Sequence, residues 1–142
     1  MSTQNFLIIF FTLLLFGCDS SSSQHNLSIK INPSNISKQK KHHSYIAYHY
    51  EMNHLRLTHH NVPFNCSLAS IESHVSIDEE LIKVQEQQRN RESTENLCLY
   101  DIEITLEEIE PQAYILDYNE GESLNIYFTI DLLNKTEGIR SY

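Results

Sequence analysis

Tryptophan is absent from this 142-residue chain, and glycine and proline are scarce, with three of each. So few glycines leave little scope for a glycine-rich loop of the kind that cradles phosphate groups. The chain also has no Gly-x-Ser-x-Gly nucleophile elbow, no Cys-x-x-Cys pair and no His-Glu-x-x-His zinc motif. The sequence therefore predicts a protein without enzymatic activity and without a bound cofactor.

Basic residues are also few, since ten Lys and Arg stand against nineteen Asp and Glu. The imbalance is concentrated in one part of the chain. Residues 18–63 contain five basic and two acidic residues, whereas residues 64–142 contain five and seventeen. An acidic domain repels a phosphate backbone, so we expect no binding to nucleic acid.

An uncharged apolar run at residues 6–16 has the length of a signal-peptide hydrophobic region and is short for a membrane span. The segment Leu15-Phe16-Gly17-Cys18 closes this run and resembles the lipobox of bacterial lipoproteins. We expect residues 1–17 to be a signal peptide and Cys18 to be the lipidated N-terminus, whose palmitate-type acyl chains bind membrane lipid. An ordinary secretory signal and an uncleaved anchor are the alternatives.

All three alternatives export the rest of the chain, so we expect it in the bacterial cell envelope, facing the periplasm or the cell surface. Residues 18–43 are polar and include four consecutive serines at 20–23. Such a composition predicts a disordered tether, because it buries too little apolar surface to order itself. The remaining residues 44–142 are enough for one small domain.

Within residues 44–142, apolar residues recur at every second position, which is typical of strands with one buried face. The pattern predicts strands at 45–50, 55–60, 71–77, 100–106, 114–118 and 124–132. We expect the last two to form an antiparallel hairpin, because turn-forming residues separate them. Residues 78–89 are rich in helix formers, but Ile82, Val84 and Glu86 alternate, so we favour a seventh strand over a helix. Seven short strands predict an all-β, antiparallel, Ig-like β-sandwich.

Two cysteines, Cys66 and Cys98, remain for the exported domain if Cys18 carries the lipid. Thiols oxidise readily outside the cytoplasm, so a disulfide between these two is the first expectation. Two unpaired buried thiols and a metal site are the alternatives.

The chain contains eight histidines, which makes a metal site worth considering. Nitrogen, sulfur and oxygen ligands for zinc or copper would come from five residues: His59, His60, Cys66, Cys98 and Asp101. However, neighbouring side chains of a strand point to opposite faces, so His59 and His60 cannot both join one site. We therefore expect the domain to fold without metal.

The segments around the two cysteines resemble a family of proteins. The pattern runs from His59-His60-Asn61-Val62-Pro63-Phe64-Asn65-Cys66 to Cys98-Leu99-Tyr100-Asp101, and then to Pro111 and Tyr114. It is similar to a group of secreted or lipid-anchored β-sandwich proteins of Bacteroides-type bacteria, loosely akin to the C-terminal part of NigD-like lipoproteins. The likeness covers about residues 52–132 and implies fold and location rather than chemistry.

Members of that group often carry Asn-Cys-Cys and Cys-x-Cys, where this chain has single cysteines at Cys66 and Cys98. The resemblance therefore implies one disulfide and weakens the metal site. Two functions follow from the whole sequence. The first is a non-enzymatic envelope lipoprotein with a structural or protein-binding domain, whose partner would be another envelope protein. The second is a metal-binding or metal-handling envelope protein that uses His59 or His60 near the cysteines.

Overall fold

The computed structural model describes residues 26–34, 43–66, 70–89, 97–120 and 124–142, and these residues form a sandwich of two β-sheets. The expected signal peptide and Cys18 lie outside the described residues. The strands are β1 (Leu27–Pro33), β2 (Tyr45–Glu51), β3 (His54–Asn65), β4 (Ser70–Asp78), β5 (Leu81–Arg89), β6 (Leu97–Leu106), β7 (Ala113–Glu120), β8 (Leu124–Asp131) and β9 (Glu137–Ser141). Within the described ranges, no helix is long and apolar enough to span a bilayer.

Sheet A has the strand order β1-β6-β3-β2-β9, and sheet B has the order β4-β5-β7-β8. The all-β sandwich predicted from the alternation is confirmed. Neighbouring strands are antiparallel except for β5 and β7, which are parallel because the chain passes through β6 of the other sheet between them. The strand order therefore differs from the ABED and CFG sheets of an immunoglobulin domain.

The core lies between the sheets and is built from the alternating apolar residues. Sheet A contributes Leu57 and Ile104, and sheet B contributes Ile82 and Leu116, all with no exposed surface. Burying an aliphatic side chain of this size stabilises the fold by about 1.5–3 kcal/mol relative to leaving it exposed. The period of two thus decides which face of each strand turns inward.

All seven predicted strands are present, and the described residues contain two more. Residues 81–89 form strand β5, so the preference for strand over helix is confirmed. Strands β7 and β8 form the antiparallel hairpin that the sequence predicts.

Strand β1 corrects the predicted domain boundary, because Leu27–Pro33 lies inside the range expected to be a disordered tether. It pairs along its whole length with β6, with Ile29 opposite Ile104. Six of its seven residues are exposed. Backbone hydrogen bonds to β6, rather than apolar burial, therefore hold it in place, and polar composition gave the wrong prediction.

Candidate functional site

A histidine and a glutamate form a pair in the middle of the apolar core. His59 of β3 and Glu86 of β5 have 1% and 0% of their side chains exposed, and His59 Nδ1 lies 2.6 Å from Glu86 Oε2. Both residues occupy inward positions in the alternation of their strands. The pair therefore connects sheet A to sheet B through the interior of the sandwich.

Two tyrosines complete this cluster. The phenol of Tyr142, just after β9, forms a short hydrogen bond with His59 Nε2. The ring of Tyr118 on β7 meets the imidazole of His59 edge to face, with centroids 5.5 Å apart. Burial raises the pKa of Tyr118 well above its usual value, and the nearby Glu86 carboxylate and Tyr142 raise it further. We call His59, Glu86, Tyr118 and Tyr142 the inner cluster.

The Glu86 carboxylate fixes the direction of one of the two hydrogen bonds of His59. A carboxylate can only accept, so His59 Nδ1 donates to Glu86 Oε2, while His59 Nε2 bonds to the Tyr142 hydroxyl, a group that can donate or accept. A phenol, an imidazole and a carboxylate in series resemble the arrangement of a nucleophile, its base and the group that orients the base. His59 and Glu86 are fully buried, whereas Tyr142 is 40% exposed at the end of the series. The chemistry of the cluster is that of a hydrogen-bonded bridge between the sheets.

On the outer face of sheet A, His60 and Asp101 form a second polar group. His60 Nδ1 lies 3.4 Å from Asp101 Oδ1, and the two side chains are 27% and 30% exposed. The ring of Tyr45 stacks on His60 with centroids 4.5 Å apart. His59 therefore faces inward and His60 outward, as strand alternation predicts.

The contacts of Asn61 explain why the sequence pattern has Asn at position 61 and Asp at position 101. Asn61 lies at a bulge in β3 with φ at 60°, a conformation that Asn tolerates better than most residues. Its backbone N–H donates to Asp101 Oδ1 at 3.0 Å, and its side-chain oxygen accepts from Ser34 Oγ at 2.8 Å. Its carbonyl oxygen accepts from Ser44 Oγ at 3.0 Å. These contacts tie the end of β1 and the start of β2 to β3 and β6, which is a structural role.

Cys66 and Cys98 form a disulfide with a Cα–Cα distance of 4.9 Å. Both thiols are therefore consumed, and neither can bind a soft metal as a thiolate. Of the three candidate ligands outside the disulfide, the structure brings His60 and Asp101 together and places His59 on the opposite face of β3. Within the described ranges, no group of three His, Cys, Asp or Glu side chains is arranged to hold a metal ion.

The four strands at the edges of the sheets differ in how they are protected against pairing with another chain. Charged residues or proline on an edge strand oppose such pairing. Strand β1 carries Lys30 and Pro33, β4 carries Glu72 and Asp78, and β9 carries Glu137 and Arg140. Strand β8 has no Lys, Arg or Pro, and its one charge is Asp131 at its last position. Among the described residues, β8 pairs only with β7.

A groove of about 430 Å³ lies between the edge strands β8 and β9. The rings of Tyr48 and Phe128, both half-buried against the core, form its walls. Lys135 and Arg140 also line it, and neither forms an ion pair with a described residue. The exposed apolar residues beside the groove are Tyr127, Leu133 and Ile139, which are 60%, 67% and 71% exposed. We call this region the β8 groove.

Asp131, the acidic residue of the groove, accepts hydrogen bonds from neighbouring residues of the chain. Asp131 accepts a 2.7 Å hydrogen bond from Asn134 Nδ2, as well as bonds from the backbone N–H groups of Leu133 and Asn134. These hydrogen bonds lower the pKa of Asp131, and the bond from the Asn134 side chain has the largest effect. Asp131 therefore stays ionised with its oxygens hydrogen-bonded, and Lys135 and Arg140 are the groove side chains that can bind an acidic group.

Comparison with protein-family models, with curated proteins and with solved structures gives no match to this chain. The resemblance to Bacteroides-type envelope proteins thus stays a prediction from the sequence. Inferences about function rest on the geometry of the β8 groove and of the two polar clusters.

Proposed function

We propose that this chain is a non-enzymatic lipoprotein of the bacterial cell envelope whose β-sandwich binds an extended segment of another envelope protein along β8. The observation that carries the proposal is the unprotected edge of β8, in contrast to the other three edge strands. An exposed edge strand offers unpaired backbone N–H and C=O groups, and an extended peptide can pair with them as an added strand. This mode of binding needs no catalytic group and no metal.

The β8 groove indicates the side chains that the bound segment carries. A strand added beside β8 turns alternate side chains inward, toward the rings of Tyr48 and Phe128. Apolar residues suit those positions. Lys135 and Arg140 lie at the same groove and favour an acidic side chain. The proposed partner is therefore an extended segment with alternating apolar residues and at least one Asp or Glu.

The proposed lipid anchor at Cys18 holds this surface near the membrane. Leu27, the start of β1, lies nine positions after Cys18 in the chain. A chain of that length spans at most about 30 Å when fully extended. The tether is thus shorter than its composition predicts, and the partner segment must come within a few nanometres of the bilayer.

A synthetic peptide, acetyl-Thr-Val-Glu-Val-Thr-Ile-Glu-Val-amide, tests the proposal on the full-length protein in mild detergent. We expect the peptide to bind and to slow amide hydrogen exchange in β8. The same peptide with Lys in place of Glu should bind more weakly. In a third peptide, Gln replaces both Glu residues so that added lysines cannot attract it. The variant Tyr127→Lys/Thr129→Lys should lose binding of this peptide because it places two cations on the β8 edge. Ser76→Lys, on the protected edge strand β4, is the matched control and should keep it.

Two results contradict the proposal. One is equal affinity of the Gln-substituted peptide for the parent and for the Tyr127→Lys/Thr129→Lys variant. The other is protection of β8 that rises with protein concentration when no peptide is present, because that would make a second copy of this chain the partner. Sedimentation velocity over the same concentration range separates these two cases.

A further inference from the structure

Four buried polar atoms, one on Glu86 and three on residues around it, have no hydrogen-bonding partner among the described residues. They are Ser73 Oγ, Glu86 Oε1, Gln88 Nε2 and Tyr118 Oη. A buried polar atom without a partner costs about 1–3 kcal/mol, and more when it is charged. Four such atoms in one region therefore need a physical explanation.

The sheet register places these four side chains together on the inner face of sheet B. Ser73 on β4 is directly opposite Glu86 on β5, which brings their Cβ atoms to about 5 Å. Gln88 lies two residues beyond Glu86 on the same face. Tyr118 on β7 is opposite Val84, one diagonal step from Glu86. A fifth unpartnered atom, Asn119 Oδ1, belongs to the opposite face of β7 and lies outside this group.

The chemistry of the four atoms defines what can bind them. Gln88 Oε1 accepts from the backbone N–H of Asn65 at 3.0 Å, so the amide orientation is fixed and Nε2 must donate. Glu86 Oε1 must accept, whereas the hydroxyl groups of Ser73 and Tyr118 can do either. A metal cation cannot accept from Gln88, and an anion is repelled by Glu86. A small neutral molecule that both donates and accepts satisfies all of them.

We propose that Glu86 Oε1 is the centre of a hydration site between the two sheets, in which bound water bridges Glu86 to Ser73, Gln88 and Tyr118. Buried waters of this kind make about three hydrogen bonds to polar groups that the protein leaves without a partner. The water donates to Glu86 Oε1 and accepts from Gln88 Nε2. It extends the hydrogen-bonded series Tyr142–His59–Glu86 from β9 to β4, across both sheets.

The site also supplies partners to a carboxylate that lies fully inside the core. His59 Nδ1 supplies one hydrogen bond to Oε2. A buried carboxylate needs further donors, because a single hydrogen bond leaves its other oxygen without the partners that water supplied. Water at Oε1 supplies them without adding charge to the core.

The melting temperature (Tm) of the full-length protein, purified in mild detergent, tests the site. The question is whether one substitution lowers Tm or leaves it unchanged. If water bridges the Tyr118 hydroxyl, Tyr118→Phe removes a satisfied hydrogen bond and should lower Tm by about 4 °C or more. The matched control is Tyr50→Phe, because Tyr50 Oη is also buried and donates directly to the Ile109 carbonyl at 3.0 Å. We expect the two variants to lose similar stability. An unchanged or higher Tm for Tyr118→Phe alone would overturn the proposal.

A direct measurement is the magnetic relaxation dispersion of water oxygen-17, which counts buried waters with long residence times. We expect the parent protein to show such water and the cavity-filling variant Ser73→Val to show less. If Ser73→Val does not fold, Tyr118→Phe takes its place in this measurement. Equal counts in the parent and the folded variant would show that the long-lived water lies elsewhere, and would contradict the site.

Discussion

Gly138 on β9 lies directly against the phenol ring of Tyr48 on β2, and a Cβ atom added at Gly138 would come within 2.4 Å of Tyr48 Cε1. The two residues are partners in the β2–β9 register. The absence of a side chain at Gly138 thus allows the Tyr48 ring to lie in the β8 groove.

We expect Gly138→Ala to displace this ring and to destabilise the protein by about 1 kcal/mol, the lower end of the range for overpacking, because the ring is only half-buried. Chemical denaturation measures the change. In a Tyr48→Ala background the same substitution should cost much less. An equal cost in both backgrounds would show that the ring contact is not the cause.

The disulfide predicts a large loss of stability on reduction. Cys66 and Cys98 are separated by 32 positions, and closing a loop of that size contributes about 3–4 kcal/mol in the chain-entropy model. We expect Cys66→Ala/Cys98→Ala to reduce the free energy of unfolding by that amount in urea titrations. Reducing agent should produce a similar loss in the parent and none in the double variant. A parent that is insensitive to reduction would argue against the bond.

Tyr118 predicts a loss of stability at alkaline pH. Its pKa is raised in the folded protein, chiefly by burial, so the folded state holds the phenol proton more tightly than the unfolded state does. Between pH 10 and the folded pKa, the unfolded state binds fewer protons and stability falls as pH rises. Below about pH 10 the phenol is protonated in both states, so its contribution to stability is fully present.

Melting curves from pH 8 to pH 11 measure this loss, and absorbance near 295 nm follows the ionisation of tyrosine. Tyr118→Phe should lose less stability over that range than the parent. Tyr45→Phe is the control, because Tyr45 stacks on His60 at the outer face of sheet A, outside the inner cluster. Parallel pH curves for the parent and Tyr118→Phe would refute the assignment.

The N-terminal segment predicts lipid attachment at Cys18. Expressed in a bacterial host, the parent should partition into the detergent phase, and Cys18→Ala should move to the aqueous phase because it carries no acyl chains. A mutant that remains in the detergent phase as completely as the parent would contradict the prediction. Cys66→Ala serves as the control, since it removes a thiol that the structure places in the disulfide.

Prediction from sequence succeeded for strands with a buried face and failed for strands without one. In β3 and β6, Leu57 and Ile104 follow the period of two because they must be apolar to enter the core. Strand β9 has four exposed residues out of five, and its one large apolar residue, Ile139, is 71% exposed. Pairing with a neighbour holds such a strand, and pairing leaves no periodic signal in its sequence.

Only part of the inner cluster could be predicted from the sequence. Glu86 continues the inward series of Ile82 and Val84, and an acidic residue at an inward position indicates a buried partner. That this partner is His59 depends on how the two sheets face each other. Local patterns contain no information about that arrangement, and for the same reason Lys135 and Arg140 could not be assigned to one groove from the sequence.

The parallel pairing of β5 with β7 has a consequence for how the chain reaches its folded state. Between these two strands the chain crosses to sheet A and forms β6, the strand that joins β1 to β3. Sheet B is complete only when β5 and β7, which flank β6 in the sequence, have paired. Sheet A needs β6 itself. Contacts between distant parts of a chain slow the search for the native state, as in other all-β domains that fold in milliseconds to seconds. While these distant segments find each other, strand edges of the folding chain stay unpaired and are open to aggregation.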